Sequence, residues 1–346
     1  MIIVLRPGHP VAVATVTQEL EDHGYQVLPV FGVEKTIVCA VGGDEHKNVD
    51  FFEQLKAHEF VEDVILITRP YKLVAKETVQ GRSIVDVGGV KVGGNEVVMM
   101  AGPCTVESEE QVFVTAEAVA KVGAKILRGG AYKPSTSPYS YQGMGVPGLK
   151  ILRQAADKYG LKVVTEVMDI RKVELVAQYT DCFQVGARNM QNYDLLKEVG
   201  QSRTPVLLKR GMTAKYEELL LAAEYIASGG NQSIMLCERG VRTFETYTRN
   251  MLDIGAVPVL QGLSHLPVII DPSQGTGKRD LVSALSRASI AAGADGLIIE
   301  VHPNPDHAIK DGPQSMTIPQ FEEMIPTLAK VAEAVGRTMA TKAVTV

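Results

Sequence analysis

The stretch EVVMMAGPCTVESEEQVFVTAEAVAKVGAKILRGG, residues 96–130, decides the fold class of this chain. It begins with a short apolar strand, continues through an amphipathic helix at 109–122 and ends in a second strand at 125–128. The first strand is wholly apolar, and the second is charged only at its two ends. Neither alternates, which is typical of a parallel sheet covered by protein on both faces. The stretch therefore predicts one βα unit and the strand of the next.

The same unit repeats along the rest of the chain. Eight apolar runs predict strands, at 97–101, 125–128, 162–166, 183–186, 206–209, 234–238, 268–271 and 296–300. Helical patterns follow them, at 109–122, 149–159, 172–179, 193–199, 216–227, 242–252, 281–292 and 319–335. Eight βα units in about 250 residues predict an α/β protein with a (β/α)8 TIM barrel. A doubly wound open sheet is the alternative.

Residues 1–70 carry a different pattern. Predicted elements follow one another as strand, helix, strand, strand, helix and strand, at 2–5, 10–23, 26–31, 36–41, 49–58 and 61–67. This βαββαβ order is typical of a small ferredoxin-like α+β domain. Between it and the barrel, Gly88-Gly89 between two valine-rich runs predicts a β-hairpin. We therefore expect a ferredoxin-like regulatory domain at 1–70, a connector with a hairpin at 71–95 and a barrel at 96–346.

The composition excludes several classes of function. The 346 residues include 35 Lys and Arg against 40 Asp and Glu, a net charge of −5 that gives no support for binding nucleic acid or membrane surfaces. No apolar run reaches the ~18 residues of a membrane span. The four cysteines form no C-x-x-C pair, and the amino terminus lacks the pattern of a signal peptide. We therefore expect a cytoplasmic protein in a reducing compartment.

Positively charged residues follow several of the predicted barrel strands. They are Arg128, Lys133, Arg188, Lys209 and Arg239. Each alone is more commonly a solvated charge or one member of an ion pair, but in a barrel the loops after the strands meet at one mouth. Five cations in one cleft repel each other unless an anion is present. The set therefore predicts a ligand that carries a phosphate or a carboxylate.

A second group of residues near the same mouth has the chemistry of a metal site. Cys104, Glu300 and Asp311 offer one soft and two hard ligands, a combination that suits a divalent transition metal. Each also has a plain structural explanation, since cysteine is often simply buried and Asp311-Gly312 is a good turn. The spacing alone leaves both explanations open.

Taken together, the strand ends carry motifs of a known family. The motifs are AGPC (101–104), LRGGAYKP (127–134), TSPYSYQG (136–143), VGARN (185–189), LLKRG (207–211), LCERG (236–240), DPS (271–273) and EVHP (300–303). They resemble those of the 3-deoxy-D-arabino-heptulosonate-7-phosphate (DAHP) synthases. The resemblance covers essentially the whole chain and is strongest to the type I beta subgroup, which has an N-terminal ferredoxin-like regulatory domain.

The resemblance implies a function. The family condenses phosphoenolpyruvate with erythrose 4-phosphate to DAHP and phosphate, the first step of the shikimate pathway. It implies that the five cations, with Thr136 and Ala187, bind the substrates. It implies that Glu166 positions the water that attacks C2, and that Lys133 donates a proton to the aldehyde oxygen. The subgroup also implies a homo-oligomer, tetramer or dimer, with an aromatic amino acid as the effector.

The resemblance further implies a divalent metal, with Mn, Zn, Fe or Co as candidates. Cys104, which we count among the catalytic residues, Glu300 and Asp311 match three of the family's ligands, but the fourth, a histidine, is Gln274 here. An amide is a poorer ligand than imidazole, so we expect weak metal binding, another metal or none. His302 is a minor alternative ligand, since the family also has histidine there.

A second departure lies at Ser135, where the family has an arginine that grips the aldose phosphate. Both departures fall on the aldehyde side of the reaction, while the phosphoenolpyruvate side is intact. Three hypotheses follow from this asymmetry. The first is a DAHP synthase with an altered metal site. The second is a divergent synthase that joins phosphoenolpyruvate or a similar enol acid to another acceptor, and the third is a non-catalytic binding protein on the same fold.

Overall fold

The chain divides into two compact units, Met1–Gln80 and Gly81–Val346. A computed structural model describes residues 1–7, 9, 11–31, 35–42, 49–65, 69–133 and 137–341. The division between the units falls inside the segment 71–95, which the sequence analysis treats as a connector. Among the described residues, no helix is long and apolar enough to cross a bilayer.

The first unit is a four-stranded antiparallel sheet with two helices. Its elements are β1 (Ile2–Leu5), α1 (Ala12–Asp22), β2 (Gln26–Phe31), β3 (Thr36–Val41), α2 (Val49–Ala57) and β4 (Val61–Ile65), and the sheet order is β2-β3-β1-β4. Alternate residues of β1, Ile3 and Leu5, pack in one buried cluster with Val16, Leu20 and Leu55 of the helices. The predicted ferredoxin-like order is confirmed. Residues 66 and 67 of the last predicted strand lie outside the described residues.

The second unit begins with a hairpin and continues as a closed barrel. The hairpin strands are β5 (Val85–Val87) and β6 (Val90–Val92), joined through Gly88 and Gly89 at φ 58° and 100°. A two-residue turn with both φ values positive is one that glycine adopts without strain. The hairpin valines Val85, Val87 and Val92 share a buried cluster with Val98 and Cys182, which lie where two barrel strands begin. The hairpin therefore covers the amino end of the barrel.

Eight parallel strands close the barrel, in the order β10-β11-β12-β13-β14-β7-β8-β9. They are β7 (Val98–Gly102), β8 (Ile126–Arg128), β9 (Lys162–Glu166), β10 (Cys182–Val185), β11 (Val206–Lys209), β12 (Ile234–Glu238), β13 (Val268–Ile270) and β14 (Gly296–Glu300). Every residue of seven of these strands is buried, and only Lys162 of β9 is partly exposed. The predicted TIM barrel is confirmed, and each strand lies within one residue of its predicted bounds.

The helices of this unit agree with the sequence analysis in all but two places. They are α3 (Glu109–Lys121), α4 (Val146–Tyr159), α5 (Val173–Ala177), α6 (Tyr193–Gln201), α7 (Tyr216–Ser228), α8 (Ala256–Leu263), α9 (Pro272–Thr276), α10 (Arg279–Ala291) and α11 (Ile318–Ala334). The short helix α9 was not predicted. It begins after Asp271, whose side chain accepts the Gln274 N–H at 2.9 Å, and has proline in its first turn.

The predicted helix at 242–252 is wrong, and the helix of this βα unit is α8 instead. Phe244 and Tyr247, two of the large side chains in that segment, are 93% and 71% exposed, so no core supports a helix there. The segment is an extended loop, closed at its base by paired backbone hydrogen bonds between Val241 and Met251. This loop carries Arg249 towards the mouth of the barrel.

Candidate active site

A cavity of about 320 Å³ opens at the carboxyl ends of the barrel strands. It is lined by the predicted residues Lys133, Glu166, Ala187, Arg188, Lys209, Arg239, Gln274 and Asp311, and by Ser137, Ser140, Gln184, Gly186, Met212, Arg249 and Lys310. Parallel strands carry these residues to one end of the barrel because each lies at a strand end or in the loop that follows. Six of the fifteen side chains are cationic and two are acidic, so the cavity suits an anion.

Three of the cations follow neighbouring strands, with Arg188 after β10, Lys209 at the end of β11 and Arg239 after β12. Lys209 is buried, and its Nζ donates to Asp271 Oδ2 at 2.5 Å and to the amide oxygen of Gln274 at 3.3 Å. Asp271 thus neutralises Lys209 in part. Arg239 has no such ion pair among the described residues.

Arg239 is a buried cation with weak internal contacts. It is only 4% exposed, and its Nε is buried without a hydrogen-bond partner among the described residues. Its two Nη contacts, to Gly240 O and Gln274 Oε1, are both 3.5 Å long. Burial lowers the pKa of Arg239 because the charged form is desolvated. A buried guanidinium with such weak contacts is costly unless a ligand completes its hydrogen bonds.

Arg128 lies elsewhere than the sequence analysis suggested. It does not line the cavity, and its Nη1 donates to Pro103 O at 2.9 Å and to Glu300 Oε1 at 3.3 Å. Both side chains are nearly fully buried. Arg128 therefore contacts the proposed metal ligand Glu300 directly.

Glu166 lies at the end of β9 beside the cations. Its Oε2 accepts the Gln184 amide at 3.4 Å, and its Oε1 lies against the Cα of Gly186. Burial raises the pKa of Glu166, while Lys133 and Lys209 oppose that rise. The carboxyl group is thus placed to exchange a proton with a ligand.

Lys133 lies on the other side of the cavity. Its Nζ is 3.1 Å from Cys104 O and 3.2 Å from Cys104 Sγ. Burial opposes the charged form of Lys133, but Cys104 and Glu166 outweigh burial and raise its pKa. Lys133 therefore carries a proton at neutral pH.

The ligand atoms of Cys104, Glu300 and Asp311 lie within 4.8 Å of one another. Cys104 Sγ donates to Asp311 Oδ2 at 3.1 Å, and burial together with the charge of Glu300 raises the pKa of this thiol to about 12. Asp311 has a φ of 54°, the only positive value outside glycine in the described part of the chain. Such backbone strain is often found at functional sites.

This donor set fits a divalent transition metal, since it combines a thiol with two carboxylates. Gln274 does not complete it as a fourth ligand. Its Nε2 donates to Glu300 Oε1 at 3.4 Å, and its oxygen faces Lys209 and Arg239. His302 lies apart from the set, with Nε2 3.2 Å from Glu107 Oε2 and Nδ1 accepting the Asn304 N–H.

Two of the six cations that line the cavity, Arg249 and Lys310, were not predicted from the sequence. Arg249 Nη1 donates to Asp311 Oδ1 at 3.2 Å and to Gln314 Oε1 at 3.0 Å. Lys310 lies directly before Asp311 in the loop after β14. Arg249 was missed because its segment was predicted to be a helix. The predicted residues Ser135 and Thr136 lie outside the described residues.

Comparison with known proteins agrees with this geometry. The profile of the DAHP synthetase I family matches residues 73–337, and that of the DAHP synthase ferredoxin-like domain matches residues 1–69. A phospho-2-dehydro-3-deoxyheptonate aldolase of Thermotoga maritima is 48% identical over 337 residues, which are 97% of this chain and 99% of the relative. A 2-dehydro-3-deoxyphosphooctonate aldolase of Syntrophotalea carbinolica is 33% identical over 264 residues, covering 71% of this chain and 94% of the relative.

The crystal structure of a DAHP synthase from Thermotoga maritima superposes with a TM-score of 0.78 and 46% identity. It covers 98% of this chain and 99% of its own. The similarity thus extends over both units of the chain and not over the barrel alone. This chain belongs to the DAHP synthetase I family.

Proposed function

We propose that this chain condenses phosphoenolpyruvate with erythrose 4-phosphate and releases DAHP and inorganic phosphate. The observation that carries this proposal is Arg239, a buried guanidinium with an orphaned Nε that lines a cavity beside Lys209 and Arg188. A small ligand with a carboxylate and a phosphate supplies acceptors for all three cations. The name of the Thermotoga maritima relative supports the same reaction.

Phosphoenolpyruvate binds along the side of the cavity formed by β10, β11 and β12. Arg239 and Arg188 contact its anionic groups, and Lys209 shares its charge between the ligand and Asp271. The fixed cations also stabilise the negative charge that develops on oxygen during the reaction, because they are oriented before the ligand arrives.

The chain's own residues handle the protons. Carbon 3 of phosphoenolpyruvate forms the new bond to the aldehyde carbon, and the aldehyde oxygen takes a proton from the Lys133 ammonium group. A water then adds at C2, oriented by Glu166, which accepts its proton. The C2 hydroxyl then gives its proton to the departing phosphate as the bond between C2 and the phosphate oxygen breaks, which leaves the ketone and inorganic phosphate.

Cys104, Glu300 and Asp311 are the residues that would hold a divalent metal. A bound divalent ion supplies Lewis acidity towards the aldehyde oxygen. Gln274 contributes hydrogen bonds to its neighbours instead of a fourth ligand, so we propose that the ion is held by three protein groups. Metal analysis of the purified chain tests which divalent ion the site prefers.

The proposal extends to the first unit. The face of its sheet turned away from the helices carries Val4 and Ile37, which line a cavity of about 660 Å³. We propose that an aromatic amino acid binds there as effector and that the chain works as a homotetramer or dimer in the cytoplasm. Inhibition by phenylalanine, tyrosine or tryptophan, and sedimentation equilibrium, test these two points.

Phosphate release from phosphoenolpyruvate is the assay for the main proposal. We expect release only when erythrose 4-phosphate is added, with each of Mn²⁺, Zn²⁺, Fe²⁺ and Co²⁺ tried in turn. Arg239→Met should raise KM for phosphoenolpyruvate, because it removes a cation whose two internal contacts are long and weak. The absence of release under all of these conditions would rule out the proposed reaction.

A further inference from the structure

The cavity has two chemically different sides, and the order of the strands separates them. Arg188, Lys209 and Arg239 follow β10, β11 and β12, which are neighbours in the barrel. On the far side, β14, β7 and β8 are also neighbours, and their loops carry Asp311, Cys104 and Lys133. The first side is the place for phosphoenolpyruvate under the proposed function. The acceptor, whose aldehyde must reach Lys133, therefore occupies the second.

Two cations on the second side, Lys310 and Arg249, have no part in the proposed reaction. Lys310 lines the cavity and is partly exposed, at the edge formed by the loop after β14. Within the described ranges, it forms no ion pair and no side-chain hydrogen bond. Arg249 is already engaged by Asp311 and Gln314. Lys310 is thus the cation on this side with its charge available.

Two hydroxyl groups line the cavity from the loop after β8. Ser137 Oγ accepts the Tyr139 N–H at 3.3 Å and donates to no group among the described residues, and Ser140 lies three residues further on. The loops after β8 and β14 flank β7, so these hydroxyls and Lys310 bound the same side of the mouth. An ammonium group with two hydroxyl donors is a suitable set for the oxygens of a phosphate.

We infer that Lys310, with Ser137 and Ser140, binds the phosphate of the acceptor and so selects a phosphorylated aldose over a free one. The inference rests on the proposed function and assigns the substrate group that this edge of the cavity recognises. The aldehyde end of the acceptor points inwards to Lys133, and the phosphate end points outwards to Lys310. The charge of the lysine is screened by solvent at the edge, so its contribution is moderate.

The test uses the full chain and two acceptors, erythrose 4-phosphate and erythrose, with phosphate release as the readout. We expect Lys310→Gln to lower kcat/KM for erythrose 4-phosphate about five- to tenfold. Its kcat/KM for erythrose and its KM for phosphoenolpyruvate should stay unchanged. Lys310→Arg should restore most of the loss, because it keeps the positive charge.

Lys278→Gln is the matched control, since it removes one positive charge near α10 from a lysine that contacts Tyr247 and does not line the cavity. It should leave all three parameters unchanged. If the wild type is active and Lys310→Gln keeps its preference for erythrose 4-phosphate, the inference is wrong while the proposed function stands. The same holds for an equal loss with both acceptors. A wild type that releases no phosphate with erythrose 4-phosphate overturns the proposed function, and the inference with it.

Discussion

Gly186 lies against the carboxylate of Glu166, and this contact gives a sharp prediction. A Cβ added to Gly186 would lie 2.0 Å from Glu166 Oε1 and 3.0 Å from its Cδ, whereas ordinary contacts begin at 3.4 Å. The backbone of Gly186, at φ −69° and ψ 158°, is one that alanine adopts without strain. Gly186→Ala therefore displaces the carboxylate without straining the backbone.

The size of the effect follows from this overlap. The carboxylate must retreat by at least about 1 Å, and a misplacement of that size costs about 100-fold in rate when the group takes part in the chemistry. The colliding atom is the end of a side chain, so the fold can absorb the change. Loss of the glycine's freedom in the unfolded chain also gains about 0.4–1 kcal/mol. We expect kcat to fall about 100-fold, with the free energy of unfolding changed by less than about 1 kcal/mol.

Two further variants test whether the loss acts through Glu166. Gly262→Ala adds a methyl group in open space on α8 and should leave kcat unchanged. Glu166→Gln alone should lower kcat, and adding Gly186→Ala to it should lower kcat no further, because both changes remove the same function. Full activity of Gly186→Ala, or a second 100-fold loss in the double variant, would refute the reasoning. Urea denaturation of each variant excludes loss of the fold as the cause.

Three other predictions concern stability and metal binding. Burial raises the pKa of Glu166 in the folded chain above its value in the unfolded chain. Between these two pKa values the folded chain binds more protons than the unfolded chain, so the free energy of unfolding falls as pH rises. Glu166→Gln should therefore raise the melting temperature more at about pH 8 than at about pH 5. Arg210→Met leaves the carboxylates of Glu238 and Asp253, bonded at 2.8 and 2.9 Å, without their partner, and urea denaturation should show a loss of about 3–5 kcal/mol. Cys104→Ser should weaken Mn²⁺ and Zn²⁺ binding at least about tenfold, because it removes one ligand contact, and calorimetry measures this affinity. An unchanged affinity would mean that another site holds the ion.

The barrel could be predicted because its strands are buried on both faces. Runs such as VLLK at Val206–Lys209 and IMLCE at Ile234–Glu238 have no polar residue before their ends, so their apolar length marks each strand directly. The helix at 242–252 could not be predicted correctly from its apolar residues. Phe244 and Tyr247 have a helical spacing, yet they point into solvent, and burial is decided by neighbours that the local sequence does not contain.

The candidate site was predictable to the level of which loops meet, but not in its contacts. Strand ends in a barrel converge, so the grouping of Lys209 with Arg239 follows from topology alone. The contact of Arg128 with Glu300 does not, because topology brings both side chains to the mouth without specifying which groups pair there. Arg249 reaches Asp311 only because of the path of its loop, which no local pattern encodes.

Gln274 links the two sides of the cavity in a way that histidine could not. Its oxygen accepts from Lys209 and Arg239 while its nitrogen donates to Glu300, so one amide contacts both the cations and a metal ligand. A histidine bound to metal would donate its lone pair to the ion, so it could not accept hydrogen bonds from Lys209 and Arg239. The amide contacts are long, between 3.3 and 3.5 Å, and an anion that enters the cavity replaces them with stronger charge-assisted bonds. Gln274 therefore gives Lys209 and Arg239 a weak acceptor that a bound anion would replace.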